Sequence, residues 1–186
     1  MPEPAIKPPS DFMALLRGTP LVDCFAFWRS VRGDGPVPPK ARIDPVAMPR
    51  HILPYLFLHE RTPEGRFRCR LSGTGLCAVF QADITGRHLD ETLPPEVLQR
   101  RIPLYQGVIE RAMPVAFTAN IADVDRNWIK FCRLMLPISF AGDGADGVFG
   151  MVVFPELDRR LPSRLPQQFS LPEVVAWATP EDLADD

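Results

Sequence analysis

Residues 66–91 read RFRCRLSGTGLCAVFQADITGRHLDE, and the pattern changes twice along them. At first Phe67, Cys69 and Leu71 fall on one face, with Arg66, Arg68, Arg70 and Ser72 on the other. A period of two with one apolar face predicts a half-buried antiparallel strand. Gly73-Thr74-Gly75 interrupts it, since glycine adopts the backbone angles a sharp turn needs. Leu76, Val79 and Phe80 then recur at helical spacing, until Asp83, Thr85 and Gly86 stop the helix and Leu89 returns to the core.

The same stretch has a second reading. Gly73, Gly75 and Ala78 spell the glycine pattern that carries a dinucleotide phosphate between strand and helix, with Asp90 and Glu91 near the place of a ribose-binding acid. The first strand of that motif is buried on both faces and reads as a continuous apolar run. An arginine at every second position of 66–70 does not fit it. A nucleotide-binding enzyme or carrier using the Gly73-Thr74-Gly75 turn is therefore the secondary expectation.

Working outward, the chain of 186 residues is long enough for one domain with extensions. Its hydrophobic fraction of 46% and charged fraction of 24% are those of a globular protein with a sizeable core. A net charge of −2 gives no electrostatic footprint for nucleic acid or an anionic membrane. No apolar run approaches the roughly 18 residues of a membrane span. The N-terminal MPEPAIKPPSDF has neither the basic start nor the apolar centre of a signal peptide, so a cytoplasmic protein is expected. Cys24, Cys69, Cys77 and Cys132 lack zinc-site spacing and read as small buried hydrophobes, so no metal is expected.

Fourteen of the 22 prolines lie at 2–9, 36–54 and 155–172, which divides the chain into a flexible tail (1–18), a domain (19–155) and a proline-rich extension (156–186). Asp11 to Leu16 has room for one turn of helix. In 19–33 the residues Leu21, Cys24, Phe25, Trp28 and Val31 form a broad helical stripe that ends at Gly33. Such a stripe needs a cover, either its own domain or a second copy, and Leu21, Phe25 and Trp28 are the candidate interface residues. The segment HILPYLFLHE (51–60) is apolar on both faces and predicts a central strand covered by that helix. The loop RTPEG (61–65) makes a hairpin into the arginine-bearing strand. The stretch 94–113 predicts the longest helix, kinked or split at Pro103. Three strands follow, with Val115 to Ile121 in the first, Trp128 to Ser139 as the second and Gly147 to Pro155 as the third. Their short polar or glycine-rich turns predict an antiparallel meander. A short helix is expected near Leu171 to Ala178.

Two strands, small helices, a longer helix and three strands is an order that resembles the PAS fold. The segments WRSVR, ILPYLFL, RFRCRLSGT, DITGRHLD and LPIS, in that order, resemble the alphaproteobacterial family of small stand-alone PAS proteins over residues 20–155. The resemblance implies an α+β fold, with a five-stranded antiparallel sheet, helices on one face and the N-terminal helix flanking it. It also implies a non-enzymatic sensory or adaptor domain that signals through protein contacts, as a homodimer or with a signalling partner, and with a small-ligand cavity.

Haem-binding members place the iron-ligating histidine on the long helix, and 94–113 contains none; His51, His59 and His88 read as surface or strand-end residues. In flavin photoreceptors a reactive cysteine follows a G-R-N motif, where this chain has Gly86-Arg87-His88-Leu89. No cofactor is thus expected, with haem and flavin disfavoured. Cys69 and His59 can approach across the first hairpin, but no acid is placed to orient the histidine, and no catalytic residues are assigned. What remains is an apolar pocket for a small apolar ligand, lined by Phe57, Leu71, Leu76, Phe80, Leu104, Phe117 and Phe131, or the same residues simply packing the core.

Overall fold

The arginine-bearing segment and its predecessor form the expected hairpin, strands β1 (Leu56–Arg61) and β2 (Phe67–Ser72). Gly65 closes the turn at φ +80°, a conformation that its lack of a Cβ makes inexpensive, and its N–H donates to the Thr62 carbonyl. The computed structural model of the protein describes residues 11–122, 128–142, 144–155, 168–170 and 172–184.

After the hairpin come helix α3 (Thr74–Phe80), helix α4 (Pro95–Arg111) and strands β3 (Val115–Ala122), β4 (Trp128–Ile138) and β5 (Gly147–Val153). The five strands pair antiparallel in the order β2-β1-β5-β4-β3. The predicted meander is β3 to β5, and the predicted hairpin joins its far end because β1 pairs with β5. The fold is the expected α+β arrangement, with two short strands beyond the expected five: β6 (Gln168–Phe169) and β7 (Val174–Trp177) both pair with β3.

Helices cover both faces. One face packs Leu58, Leu134, Leu136, Phe149 and Met151 against α1 (Phe12–Leu16) and α2 (Leu21–Arg32). The other packs Phe57, Val115, Phe117, Met135 and Val152 against α3 and α4. β5 is therefore buried at all seven positions, and its lack of polar alternation follows. The flanking helix is thus a second layer rather than an accessory. Trp28 fixes it: its indole N–H donates to the Pro137 carbonyl of β4 at 2.8 Å, inside the core.

Several expectations change here. Leu21, Phe25 and Trp28 are 0%, 2% and 0% exposed within their own chain, so the candidate interface stripe is covered by the sheet rather than offered to a second copy. Residues 11–18, read as tail, include α1, whose Phe12 and Leu16 are buried in the same layer. The strand expected over 51–60 begins only at Leu56, because Leu53–Tyr55 forms a 3-10 turn around Pro54. The proline-rich 36–49 holds two 3-10 turns, Lys40–Arg42 and Pro45–Ala47. Pro103 does not split α4: it lies on the exposed side, as does Gln99 one turn earlier, so water can satisfy the carbonyl left without a donor. The helix expected near 171–178 is strand β7, since the β-branched Val174 and Val175 lie beside an edge of β3 with free hydrogen-bonding groups. Residues 1–10 and 156–167 of the expected tail and extension lie outside the described residues.

Truncation of Trp28 to alanine is expected to cost about 3–5 kcal/mol. Trp28→Phe, which keeps most of the volume but leaves the Pro137 carbonyl unpaired, should cost about 1–3 kcal/mol. Thermal melts read this directly, and an alanine variant melting like the parent would show that α2 is not part of the core.

Candidate functional site

Strand alternation in β2 is broken by one extra residue. Leu58 pairs with Leu71 but His59 pairs with Cys69, so Arg70 has no opposite number. A bulge of this kind flips every side chain beyond it to the opposite face. Leu71 leaves the α3–α4 side and is 37% exposed, which removes it from the expected pocket. Ser72 takes its place.

Beneath α3 the flip leaves a cavity of about 50 Å³. Its apolar wall is Phe57, Leu76, Phe80, Ala82 and Ile84, and its polar wall is His59, Cys69, Ser72 and Arg133. Of the seven expected lining residues, Phe57, Leu76 and Phe80 are brought together here. Phe117 and Phe131 pack in the core behind, with ring centres 6.2 Å apart, and Leu104 is half-buried against the same layer. The volume is far below the roughly 300–1,000 Å³ of sites for drug-sized ligands.

The polar wall belongs to a buried network. Arg133, only 7% exposed, projects from the centre of β4; its Nη2 donates to the Tyr105 hydroxyl at 2.6 Å. That hydroxyl lies 3.1 Å from His59 Nδ1. Because the Tyr105 oxygen accepts from arginine and has one proton to give, we assign that proton to the bond with Nδ1 and place the His59 proton on Nε2. The Arg133 guanidinium also stacks over Phe57, 3.7 Å from the ring centre. Two donors, Arg133 Nε and His59 Nε2, are buried with no partner among the described residues. No carboxylate forms an ion pair with Arg133 among those residues, although an uncompensated buried charge costs several kcal/mol.

Burial first, then the positive charges of Arg133 and Arg101, hold the His59 pKa well below the ordinary 6.5. Burial likewise raises the Tyr105 pKa, and Arg133 opposes it. Arg101, one turn before Tyr105 on α4, is brought down to about 10 by burial and by Arg133. Cys69 does stand opposite His59, but burial pushes its thiol up to about 11 and its sulfur points at the Leu71 carbonyl 3.4 Å away. A protonated thiol beside a neutral histidine is a poor nucleophile.

The glycine turn is packed rather than open. A Cβ on Gly73 would collide with the Pro54 carbonyl, and one on Gly75 would lie 2.8 Å from the Tyr55 ring. The two glycines let α3 seat closely on the Leu53–Tyr55 turn. His88 caps the 3-10 turn Leu89–Glu91, and exposed His51 pairs with Asp23 at 2.8 Å, whereas His59, expected at a strand end, lies 2% exposed in the cavity wall. A larger open cleft of about 410 Å³ lies between Thr19, His51, Tyr55 and Phe154, but its imidazole, His51, is already held by Asp23 at the surface. The cavity residues missed in the sequence had one signal: Arg133 is the only charge within FCRLMLPI (131–138), an otherwise apolar strand core.

Among the described residues there is no cluster that could hold a metal ion, and no helix is long and apolar enough to cross a membrane. A family model described as a PAS domain matches residues 16–153, well over half of the chain. No curated protein and no solved structure matches.

A neutral buried His59 makes stability depend on pH. As pH falls below about 6.5, the unfolded chain takes up a proton that the folded one refuses. Stability should therefore decrease towards acid by up to about 1.4 kcal/mol per pH unit. Melts of the parent and a His59→Gln variant between pH 7.5 and 5 check this: the variant should show the shallower slope, and equal slopes would mean that His59 is not held neutral.

Proposed function

Because this chain belongs to the PAS domain family, a family of sensory and signalling domains, we propose that it is a non-enzymatic sensor that takes a small polar ligand into the cavity beneath α3 and passes the signal on through protein contacts. The observation that carries this reading is the cavity wall itself. A buried guanidinium without a countercharge among the described residues, beside a second unpartnered donor, is costly for a core that serves only as packing. A ligand supplying the missing acceptors offsets that cost. The high thiol pKa of Cys69 and the neutral state of His59 support binding rather than chemistry.

The route for the signal runs along α4. Tyr105 holds the cavity network, and Gly107 and Arg111 on the same helix hold Trp177 of β7: a Cβ on Gly107 would lie 2.7 Å from its ring, and Arg111 stacks 4.5 Å from the ring centre. Further along, Arg29 and Arg32 of α2 donate to the carbonyls of Asp182 and Leu183. The C-terminal segment thus touches both helical layers, and it is the surface that a shift of α4 would move first. A cytoplasmic partner docking on that segment completes this reading.

A ligand at about 100 times its dissociation constant adds about 2.7 kcal/mol, which raises the melting temperature of a chain this size by roughly 5–10 °C. A thermal-shift screen of small organic acids, amines and neutral polar compounds should yield such a hit. Hydrogen exchange should then change at residues 172–178 in its presence. A screen without a hit would favour a PAS fold kept as a ligand-free scaffold; a hit that leaves 172–178 unchanged would remove the proposed output.

A further inference from the structure

Resting on the reading that the cavity beneath α3 holds a ligand, we propose that this ligand is a short-chain monocarboxylate of two or three carbons, its carboxylate held by Arg133 and the His59 Nε2–H.

Charge comes first. Arg133 and His59 are 7% and 2% exposed, and both line the cavity. The charges acting on His59 are both cationic, Arg133 first and then Arg101, while the carboxylate that acts on neighbouring Cys69, Asp83, accepts from the Thr85 N–H. An anion is the one ligand class that lowers the electrostatic energy of this site, and hydrogen bonds between ions in a buried place are the strong ones.

Hydrogen bonding narrows the class. With Tyr105 donating to Nδ1, the open valences at Arg133 Nε and His59 Nε2 are both N–H donors. Ser72 adds a hydroxyl that can give or accept. A carboxylate has two acceptor oxygens and no donors, so it matches this wall, whereas an amide has one acceptor oxygen and turns an NH₂ towards the second donor, and an ammonium sets N–H against N–H.

Size and wall chemistry set the rest. One water occupies about 10–15 Å³ on the measure by which the cavity holds about 50 Å³, so there is room for about three to five non-hydrogen atoms. Acetate and propionate fit, while a dicarboxylate or a phosphate ester does not. Leu76, Phe80 and Ile84 offer the carbon end an apolar wall that nitrate or bicarbonate cannot use. The Arg133–Tyr105–His59 chain fixes both donors before the ligand arrives, which reduces the ordering cost of binding.

The full chain, dialysed into chloride buffer at pH 7, would be titrated with sodium acetate, sodium propionate, acetamide and sodium nitrate. Thermal shift and the histidine side-chain region of a proton–nitrogen correlation spectrum would be followed. The two carboxylates should bind saturably and move the His59 Nε2 resonance. Acetamide and nitrate should bind at least about tenfold more weakly, a difference of about 1.4 kcal/mol. Arg133→Gln should lower acetate affinity at least tenfold, and the acid–amide comparison in the parent chain stands if that variant does not fold. Acetamide binding as well as acetate would overturn the anionic class and leave the sensory reading intact, and nitrate binding equally well would overturn the carboxylate in favour of a simple oxyanion. If no probe moves the His59 resonance the inference fails, and the sensory reading then stands or falls on the wider screen.

Discussion

A sheet whose central strands are apolar on both faces has to be covered twice, and most of this structure follows from that constraint. β5 is buried along its whole length and β4 over its last eight residues. Water must be excluded from both sides, so α1 and α2 are as necessary as α3 and α4. At roughly 25 cal/mol per Å², two such layers supply the main favourable term of folding. The Trp28 hydrogen bond to Pro137 sets where α2 lies, and the stacked Phe25 and Trp28 rings fill the interval between helix and sheet.

Covering also explains the ends of the sheet. The outer edge of β3 is paired with β6 and β7, and the outer edge of β2 receives the 86–87 segment, where Cys69 exchanges hydrogen bonds with Arg87 and Gly86 at 2.8 Å each. Exposed edges invite pairing with other chains, and here both are occupied from within. The C-terminal residues therefore complete the domain instead of trailing from it, and this gives α4 a direct contact with them through Trp177.

Against this apolar background the Arg133–Tyr105–His59 network is the exception. Natural cores contain few buried polar groups without partners. Here two such donors belong to residues that line one small cavity, and one of those residues is a cation with no carboxylate partner among the described residues. Departures from good packing concentrate where a protein does something, and the departure here sits under the shortest full helix of the α3–α4 layer. α3 is held by the close fit of Gly73 and Gly75 against the Leu53–Tyr55 turn. The glycine spacing that suggested a phosphate cradle is therefore a close-packing contact between α3 and the Leu53–Tyr55 turn.

Much of the fold was legible in the chain itself. The alternation in 67–70, the helical stripe from Leu21 to Val31 and the three strands after Met113 are local periodicities, and local backbone geometry reproduces them. The order of the motifs was enough to suggest the family. The site was less legible. Phe57, Leu76 and Phe80 were found because they are apolar and near the right elements, but Leu71 was misplaced by a bulge that leaves no mark in the sequence. The helix stripe read as an interface was real, yet periodicity states only that a face is apolar and not what covers it. His59, Tyr105 and Arg133 lie 46 and 28 residues apart along the chain, and nothing in their own segments links them. The sequence by itself determined the main strands and helices between Leu21 and Val153, because those depend on spacing over a few residues, whereas Val174–Trp177 became a strand only because an edge of β3 lies beside it. Only the tertiary structure decided which faces meet and which donors remain unsatisfied, because these depend on strand register and layer order, which no local pattern encodes.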